Sequence, residues 1–195
     1  MGKIVVCANV TLDGVVQVQD PDGEAGFRHG DWFDQIMATM SRDEFAKVEF
    51  GEWLGAEAIL LGRRSDEWFA TRWASRTGEF ADRMNSLPKY VVSSTLQEPK
   101  WTNATILKGN VVHEVSKLKQ RLDGDVVVWA SGQLVRTLME HDLVDELRLM
   151  VFPVVLGVGE RLFGGTSDKV SLRLVANRTI GNGLTYVTYE VAQAA

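Results

Sequence analysis

The chain has 195 residues, 45% of them hydrophobic and 24% charged, with a formal net charge of −5. This composition supplies enough apolar side chains for a buried core, so we expect one domain over residues 1–195 and no large disordered segment. The acidic balance argues against a nucleic-acid partner, and no stretch approaches a membrane span or a secretory signal, so we expect a cytoplasmic protein without membrane contact.

The first third of the chain predicts two buried strands separated by a long loop and a helical region. Residues 3–10 are rich in Ile and Val and lead to Asp13-Gly14, which is typical of a strand closed by a turn. Residues 15–31 contain several turn-forming residues, and a loop of this length in a small domain tends to be functional. Apolar residues over 32–54 recur at helical spacing, which predicts one broken helix or two, and residues 58–62 predict the second strand.

The rest of the chain predicts six more strands and two amphipathic helices. The predicted strands cover residues 88–94, 105–107, 125–130, 146–156, 171–176 and 184–191, and the helices cover 111–122 and 134–139. Strands and helices alternate at first, as a parallel sheet requires, whereas the last strands follow one another without helices. The sequence therefore predicts an α/β fold with a mostly parallel central sheet, antiparallel C-terminal strands and flanking helices.

Small or polar residues follow three of the predicted strands. These clusters are Gly62-Arg63-Arg64-Ser65, Ser93-Ser94-Thr95 and Ser131-Gly132-Gln133. Ligands of open α/β sheets bind at the carboxyl ends of the strands, so we expect the clusters to converge on one crevice. The start of the helix after Ser131 suits a pyrophosphate, and the guanidinium groups of Arg63 and Arg64 suit a phosphate monoester. The alternatives are an ordinary helix start and a solvated arginine pair.

A second group of candidates lies in the long loop and at the start of the helix after it. Asp13, Asp31 and Asp34 carry carboxylates, and such a group donates a proton near neutral pH only if burial raises its pKa. Solvated loop acids are the alternative. Trp32 is either a platform for a ligand or a core residue. The single cysteine, Cys7, is interpreted as a small buried hydrophobe, and with scattered histidines we expect no metal site.

Six segments, spread over nearly the whole chain, match the motifs of a known family in the same order. They are TLDG at 11–14, HGDW at 29–32, AILLGRRS at 58–65, LPKYVVSSTL at 87–96, VVVWASGQLVRTLMEHDLVDELRL at 126–149 and PVVLGVGERLF at 153–163. In these segments the chain resembles the dihydrofolate reductase family, and specifically the C-terminal reductase domain of bifunctional riboflavin-biosynthesis deaminase-reductases. The resemblance implies a three-layer dihydrofolate-reductase-like fold, an NADPH site, a homodimer and a stand-alone reductase domain.

The resemblance also implies which residues form the site. Gly62, Arg63 and Arg64 match the strand end near the adenosine 2′-phosphate, and Ser131 stands where the usual pyrophosphate turn has its first glycine. The predicted cofactor-binding residues are Ala8, Gly62, Arg63, Arg64, Ser93, Ser94, Thr95, Ser131, Gly132, Gln133 and Leu134. The predicted substrate residues are Asn9, Asp13, Trp32 and Asp34. No catalytic residue is assigned.

The activity implied by the resemblance is an NADPH-dependent reduction. Hydride would be transferred to a small pterin-like, pyrimidine-like or other conjugated heterocycle, as in a protein similar to 5-amino-6-(5-phosphoribosylamino)uracil reductase. The alternative is a nucleotide-binding or structural homodimer that retains the fold without the reaction, because a fold does not guarantee an activity.

Overall fold

Eight strands form one sheet in the computed structural model, which describes residues 1–17, 27–40, 42–165 and 169–192. The strands are β1 (Lys3–Thr11), β2 (Ala56–Gly62), β3 (Lys89–Val92), β4 (Ala104–Leu107), β5 (Asp125–Trp129), β6 (Glu146–Phe152), β7 (Leu172–Ile180) and β8 (Leu184–Val191). Their order is β4-β3-β2-β5-β1-β6-β8-β7. The first six are paired in parallel, and β8 and β7 are antiparallel. The predicted α/β fold and strand directions are confirmed.

Six helices connect these strands in the described ranges. They are α1 (Trp32–Met37), α2 (Arg42–Gly55), α3 (Arg63–Trp73), α4 (Glu79–Ser86), α5 (Val111–Arg121) and α6 (Gly132–Glu140). The segment 32–54 thus holds two helices, which was one of the two predicted alternatives. The sequence pattern did not predict α3 and α4, because each buries only two or three side chains and shows no extended apolar stripe. None of the described helices has the length and apolar character needed to cross a membrane.

The core consists of three layers, with helices on both faces of the sheet. Leu118 of α5 and Leu138 of α6 pack in a cluster on one face. Trp53 of α2, Phe69 of α3 and Met84 of α4 pack in a cluster on the other face. The central strands β1, β2 and β5 are apolar towards both layers, as expected for parallel strands buried on both sides.

The loop after β1 is attached to the loop after β6, and we call this attachment the loop seam. The carboxylate of Asp13 accepts hydrogen bonds from the backbone N–H groups of Leu156 (3.2 Å) and Gly157 (2.9 Å), and Arg161 forms a salt bridge with it (3.3 Å). The Thr11 hydroxyl, which donates to the same carboxylate (2.7 Å), and the two backbone donors hold the pKa of Asp13 well below its usual range. Residues 18–26 of the predicted long loop lie outside the described residues.

The C-terminal end of α2 is fixed by a side chain from α4. Arg83 donates from Nε to the carbonyl of Trp53 (3.0 Å) and from Nη2 to the carbonyl of Ala56 (2.6 Å). Carbonyls at a helix end lack partners within the helix, so a guanidinium there satisfies groups that would otherwise need water. Arg83 therefore sets the position of α2 against the sheet.

Replacement of Arg83 by alanine tests this anchoring. We expect Arg83→Ala to lower the free energy of unfolding by about 2 kcal/mol, because it removes charge-assisted hydrogen bonds to part-buried carbonyls. Urea unfolding measures the change. The control is Arg76→Ala, which removes an exposed arginine that lies over the Trp73 ring. An equal loss in both variants would contradict the role of Arg83.

Candidate functional site

The carboxyl ends of β3, β2 and β5 lie side by side at one edge of the sheet. The backbone N–H of Gly62, at the end of β2, donates to Oγ of Ser131 after β5 (3.0 Å), and that Oγ donates to Oγ of Ser65 (2.8 Å). Val92, the last residue of β3, is in register with Gly62, so Ser93 follows at the same edge. The three strand-end clusters are therefore adjacent, and we call this the strand-end edge.

Two helices begin at the strand-end edge without a side-chain cap. α3 starts at Arg63 and α6 at Gly132, and neither N-cap residue makes a side-chain hydrogen bond to its helix. The first backbone N–H groups of a helix and its dipole attract an anion. Ala130 (φ 51°) and Ser131 (φ 61°) have left-handed backbone conformations. This conformation is strained for residues other than glycine, and such strained residues are found most often at functional sites.

The polar side chains at this edge differ in how far they are already engaged. Arg63 is exposed and paired with Glu67 one turn later (3.2 Å), whereas no ion pair to Arg64 is found in the described part of the chain. Ser93 is buried, and its Oγ accepts the backbone N–H groups of Thr95 (3.3 Å) and Leu96 (3.0 Å), so Ser93 stabilises the turn.

Of the remaining predicted cofactor residues, some are accessible and some are not. The exposed ones are Ser94, Thr95 and Gln133, and Gly62 and Gly132 are partly accessible. The side chain of Leu134 packs in the core, so only its backbone faces the edge. The backbone N–H of Gly62 donates to the hydroxyl of Ser131, so this N–H is not available to a ligand.

An acidic side chain stands next to the start of α6. A Cβ atom built on Gly132 would lie 3.2 Å from Oε1 of Glu160. Glu160 is exposed and pairs with Arg136 of α6 (3.1 Å). Its negative charge opposes an anion at the helix start, so a bound pyrophosphate requires this side chain to turn away.

A cavity opens beside the carboxyl half of β1, on the face covered by α2. Its interior of about 20 Å³ has room for about one water molecule, and the cavity is partly open to solvent. One side is formed by β1 and α2, through Cys7, Ala8, Asn9, Glu49, Glu52 and Trp53. The other side is formed by Trp129 of β5, Arg148 and Met150 of β6, and Tyr186 of β8. We call it the Glu49 cavity.

The guanidinium of Arg148 is surrounded by carboxylates. Nη1 donates to Glu52 (2.7 Å), Nη2 to Asp125 (2.9 Å) and Nε to Glu146 (2.6 Å). Glu52 also accepts the hydroxyl of Tyr186. Burial and the Glu52 carboxylate raise the pKa of Tyr186 above its usual value, so the phenol is neutral near pH 7. Every nitrogen of the guanidinium group is thus engaged with an acid.

Glu49 is different from these carboxylates. Among the described residues it has no hydrogen bond and no ion pair, although Glu52 one turn later has several. Burial raises the pKa of Glu49 from 4.5 to about 7, because desolvation penalises the charged form and no cation compensates. Near neutral pH this carboxyl is therefore close to half protonated.

A buried donor also lacks a partner in this cavity. Trp53 is 1% exposed, and its Nε1 has no hydrogen-bond acceptor among the described residues. Buried polar atoms are nearly always paired, so an unpaired one calls for an explanation. The indole ring packs against Trp129 (centroids 4.7 Å apart), which stacks on Phe69 (4.0 Å). Two indole rings in edge-to-face contact thus line the cavity beside its carboxylates.

Comparison with known proteins places the chain in a family. Residues 2–186 match the model of the RibD C-terminal domain. The chain belongs to the RibD C-terminal domain family. It is similar to the uncharacterized protein YyaP of Bacillus subtilis (strain 168), at 28% identity over 201 residues, with 96% of this chain and 94% of that protein covered.

Two solved structures share the fold of this RibD C-terminal domain. A putative riboflavin biosynthesis protein from Shewanella sp. PV-4 has a TM-score of 0.68 at 18% identity, with 98% of this chain and 99% of that chain covered. A dihydrofolate reductase from Enterococcus faecalis, complexed with NADP(H), has a TM-score of 0.57 at 12% identity, with 98% and 97% covered. The family resemblance and the dihydrofolate-reductase-like fold are confirmed.

Only part of the predicted substrate group of this RibD C-terminal domain reaches the Glu49 cavity. Asn9 lines it, as does Ala8, which was predicted to contact the cofactor. Asp13 does not, because it is engaged in the loop seam. Trp32 is buried against Phe152 and donates from Nε1 to the carbonyl of Gln17 (2.8 Å). Asp34 is exposed on α1.

The carboxylates that do line the cavity were missed by the sequence analysis. Glu49 and Glu52 lie three residues apart on α2, so they share a helix face. Trp53 lies four residues after Glu49 and is buried, which marks that face as the inner one. The sequence signal that could have found this site in the RibD C-terminal domain is a pair of acids on the same helix face as a large aromatic residue, in the helical region after the first strand.

Glu49 should lower stability at neutral pH. Its pKa is about 7 in the folded chain and near 4.5 when unfolded, so the unfolded state binds fewer protons between these values and stability falls as pH rises. We expect Glu49→Gln to unfold like the native protein at pH 4 and to be more stable by about 3 kcal/mol at pH 8.

Urea unfolding at both pH values measures this difference. The control is Glu79→Gln, at an exposed carboxylate on α4, which should match the native protein at both. A Glu49→Gln variant that is not stabilised at pH 8 would show that Glu49 is well solvated.

Proposed function

We propose that the protein is an NADPH-dependent reductase of a small conjugated heterocycle, with the cofactor along the strand-end edge and the substrate against the open side of the Glu49 cavity. Membership of the RibD C-terminal domain family supports a reductase-like role. The single observation that carries the proposal is the position of β5. Trp129 at its end lines the cavity, and Ser131 and Gly132 directly after it open α6 at the edge.

The residues at the strand-end edge fit a dinucleotide phosphate. The uncapped starts of α3 and α6 offer backbone donors to a pyrophosphate. Arg64, with Arg63, Ser94 and Thr95 near it, offers the charge and the hydroxyl groups that recognise a 2′-phosphate. The enterococcal reductase of the same fold was solved with NADP(H), which supports the same cofactor for this chain.

In the cavity, Glu49 is the group best placed to move a proton. Bound NADPH would supply a hydride to one atom of a conjugated double bond. Glu49, protonated in part near pH 7, donates its proton to the other atom, so the double bond becomes a single bond. The carboxylate then regains a proton from water through the open side of the cavity. Glu52, held in place by Arg148 and Tyr186, orients the ring.

Cofactor titration tests the assignment of Arg64. We expect NADPH to bind more tightly than NADH, and Arg64→Ala to weaken NADPH by about 1 to 3 kcal/mol with little effect on NADH, because only NADPH has the 2′-phosphate. Arg63→Ala should act in the same sense but less, since Arg63 is paired with Glu67. Quenching of tryptophan fluorescence measures binding.

The control for this titration is Arg72→Ala, at the other end of α3. Equal affinity for both nucleotides would contradict the 2′-phosphate site. Absence of binding by either nucleotide would contradict the reductase.

A second function is favoured by one observation. The carboxylate of Glu160 lies beside the start of α6, where a pyrophosphate would bind. If that side chain stays in place, the chain is a structural or nucleotide-binding homodimer that keeps the fold without the reaction. The same titration separates the reductase from a purely structural homodimer, which would bind neither NADPH nor NADH, whereas a nucleotide-binding homodimer would bind a nucleotide without oxidising it.

We further propose that the protein forms a homodimer through β7. Among the described strands it lies at the edge of the sheet and pairs with β8 alone. Leu172, Leu174 and Val175 are 39%, 48% and 49% exposed on it. An exposed edge strand with apolar side chains is a template for pairing with another chain, and a second copy supplies the matching edge.

Light scattering after size-exclusion chromatography tests this dimer. We expect the native protein to elute as a dimer and Leu174→Lys to shift it to a monomer, because a charge at an edge strand opposes pairing. The control is Val155→Lys, at an exposed loop residue away from β7. A native monomer, or a dimer unaffected by Leu174→Lys, would contradict the interface.

Other aspects of the function stay predictions from the sequence. They are a small molecule as the partner of the site, the absence of nucleic-acid and membrane partners, and a cytoplasmic location. The net charge of −5 supports the second of these, because a polyanion needs a basic surface.

A further inference from the structure

An ion pair lies at the start of α6, within the strand-end edge. Oε1 of Glu160 is 3.1 Å from Nη2 of Arg136, which is one turn into the helix. A Cβ atom built on Gly132, the first residue of α6, would lie 3.2 Å from Oε1 of Glu160 and 3.8 Å from Nη1 of Arg136. The carboxylate and the guanidinium therefore meet beside the first residue of α6, where the helix start attracts an anion.

The backbone of Glu160 is fixed to the loop after β1. Its N–H donates to Oε1 of Gln17 (3.0 Å), and its carbonyl accepts the N–H of Val16 (2.9 Å). Gly159 has a φ of 117°, and a Cβ atom there would lie 2.7 Å from the side chain of Val15. The turn therefore requires glycine and holds the backbone of the glutamate in place. The carboxylate can leave the helix start by rotation of its side chain, without movement of the loop.

The two members of this ion pair are held unequally. The side chain of Arg136 is 22% exposed, and its Nη1 also donates to the carbonyl of Arg161 (3.4 Å). The side chain of Glu160 is 50% exposed, and its bonded partner in the described part of the chain is Arg136 alone. An exposed ion pair contributes little free energy, so its separation costs little. The carboxylate is therefore the member that moves, and the guanidinium is the member that stays.

A diphosphate is the stronger partner for this guanidinium. It offers more oxygens and more negative charge than one carboxylate, in a geometry that matches the two-nitrogen edge of arginine. We propose that Glu160 competes with the diphosphate of the cofactor, and that Arg136 exchanges the carboxylate for the diphosphate when a dinucleotide binds. The inference rests on the proposed function, which places the dinucleotide at this edge, and it adds Arg136 and Glu160 to the residues that set its affinity.

This exchange acts on the diphosphate and not on the 2′-phosphate. NADPH and NADH share the diphosphate, so the carboxylate of Glu160 opposes both of them to the same extent. Arg64, in contrast, is assigned to the 2′-phosphate that NADPH alone carries. Adenosine 2′-monophosphate has that phosphate but no diphosphate, so its affinity is independent of Glu160. These three ligands therefore separate the effect of Glu160 from that of Arg64.

Titration of the full chain with these ligands tests the inference, with tryptophan fluorescence and calorimetry as the measurements. We expect Glu160→Gln to bind NADPH and NADH about tenfold more tightly than the native protein, because the competing charge is removed and the guanidinium is released. The affinity for adenosine 2′-monophosphate should not change. The control is Glu140→Gln, which removes an exposed carboxylate at the other end of α6 and should alter none of the three affinities.

A double variant distinguishes a ligand-binding role of Arg136 from a structural one. We expect Glu160→Gln/Arg136→Gln to bind both dinucleotides about tenfold more weakly than Glu160→Gln alone, because the charged donor is lost. Circular dichroism of each variant checks that the fold is retained. A folded double variant that keeps the tighter binding would show that Arg136 serves only as the partner of Glu160, and would overturn the exchange.

The remaining outcomes separate this inference from the proposed function. Equal binding of the dinucleotides by the native protein and Glu160→Gln would overturn the competition and leave the reductase intact. An equal gain for adenosine 2′-monophosphate would also overturn it, because the effect would then be one of overall charge. If neither the native protein nor Glu160→Gln binds a dinucleotide, the proposed function is wrong and this inference fails with it.

Discussion

Arg148 binds three carboxylates at once, and the chemistry of the cavity depends on this arrangement. β1 is paired with β5 on one side and β6 on the other, so Asp125, Glu146 and Arg148 come together at the middle of the sheet, and Glu52 reaches them from α2. A buried ion cluster of this kind contributes little net stability, because desolvation offsets most of the attraction. Its effect is on the cavity, where it holds Glu52 in a salt bridge and leaves Glu49 without a cation.

The ends of the parallel strands join this cavity to the strand-end edge. β5 contributes Trp129 to the cavity and the start of α6 to the edge, so a ligand that spans both would place its anionic part and its flat part against different chemistry. The edge offers helix starts and arginines. The cavity offers acids and indole rings. The two sides of this strand end therefore have opposite charge preferences.

Much of the fold could be predicted from the sequence, whereas the acidic part of the site could not. Strands such as β2 and β5 are short runs of Ile, Leu and Val, which carry a strong signal, and their polar ends marked the strand-end edge. Asp13 and Asp34 were favoured as substrate acids because they lie near the long loop. Their roles depend on partners distant in sequence, such as Gly157 for Asp13. Glu49 resembled any helix-surface acid until the sheet placed Cys7, Arg148 and Tyr186 around it.

The pKa of Asp13 is lowered and the pKa of Glu49 is raised relative to an ordinary carboxyl group. Backbone donors keep Asp13 ionised in acid, and desolvation keeps Glu49 partly protonated near neutrality. Between mild acid and mild base the loop seam therefore keeps a constant charge. Over the same range the Glu49 cavity gains one negative charge, because Glu49 loses its proton. Acidification in this interval would change the charge of the Glu49 cavity without protonating Asp13, so the cavity and the loop attachment respond to separate ranges of pH.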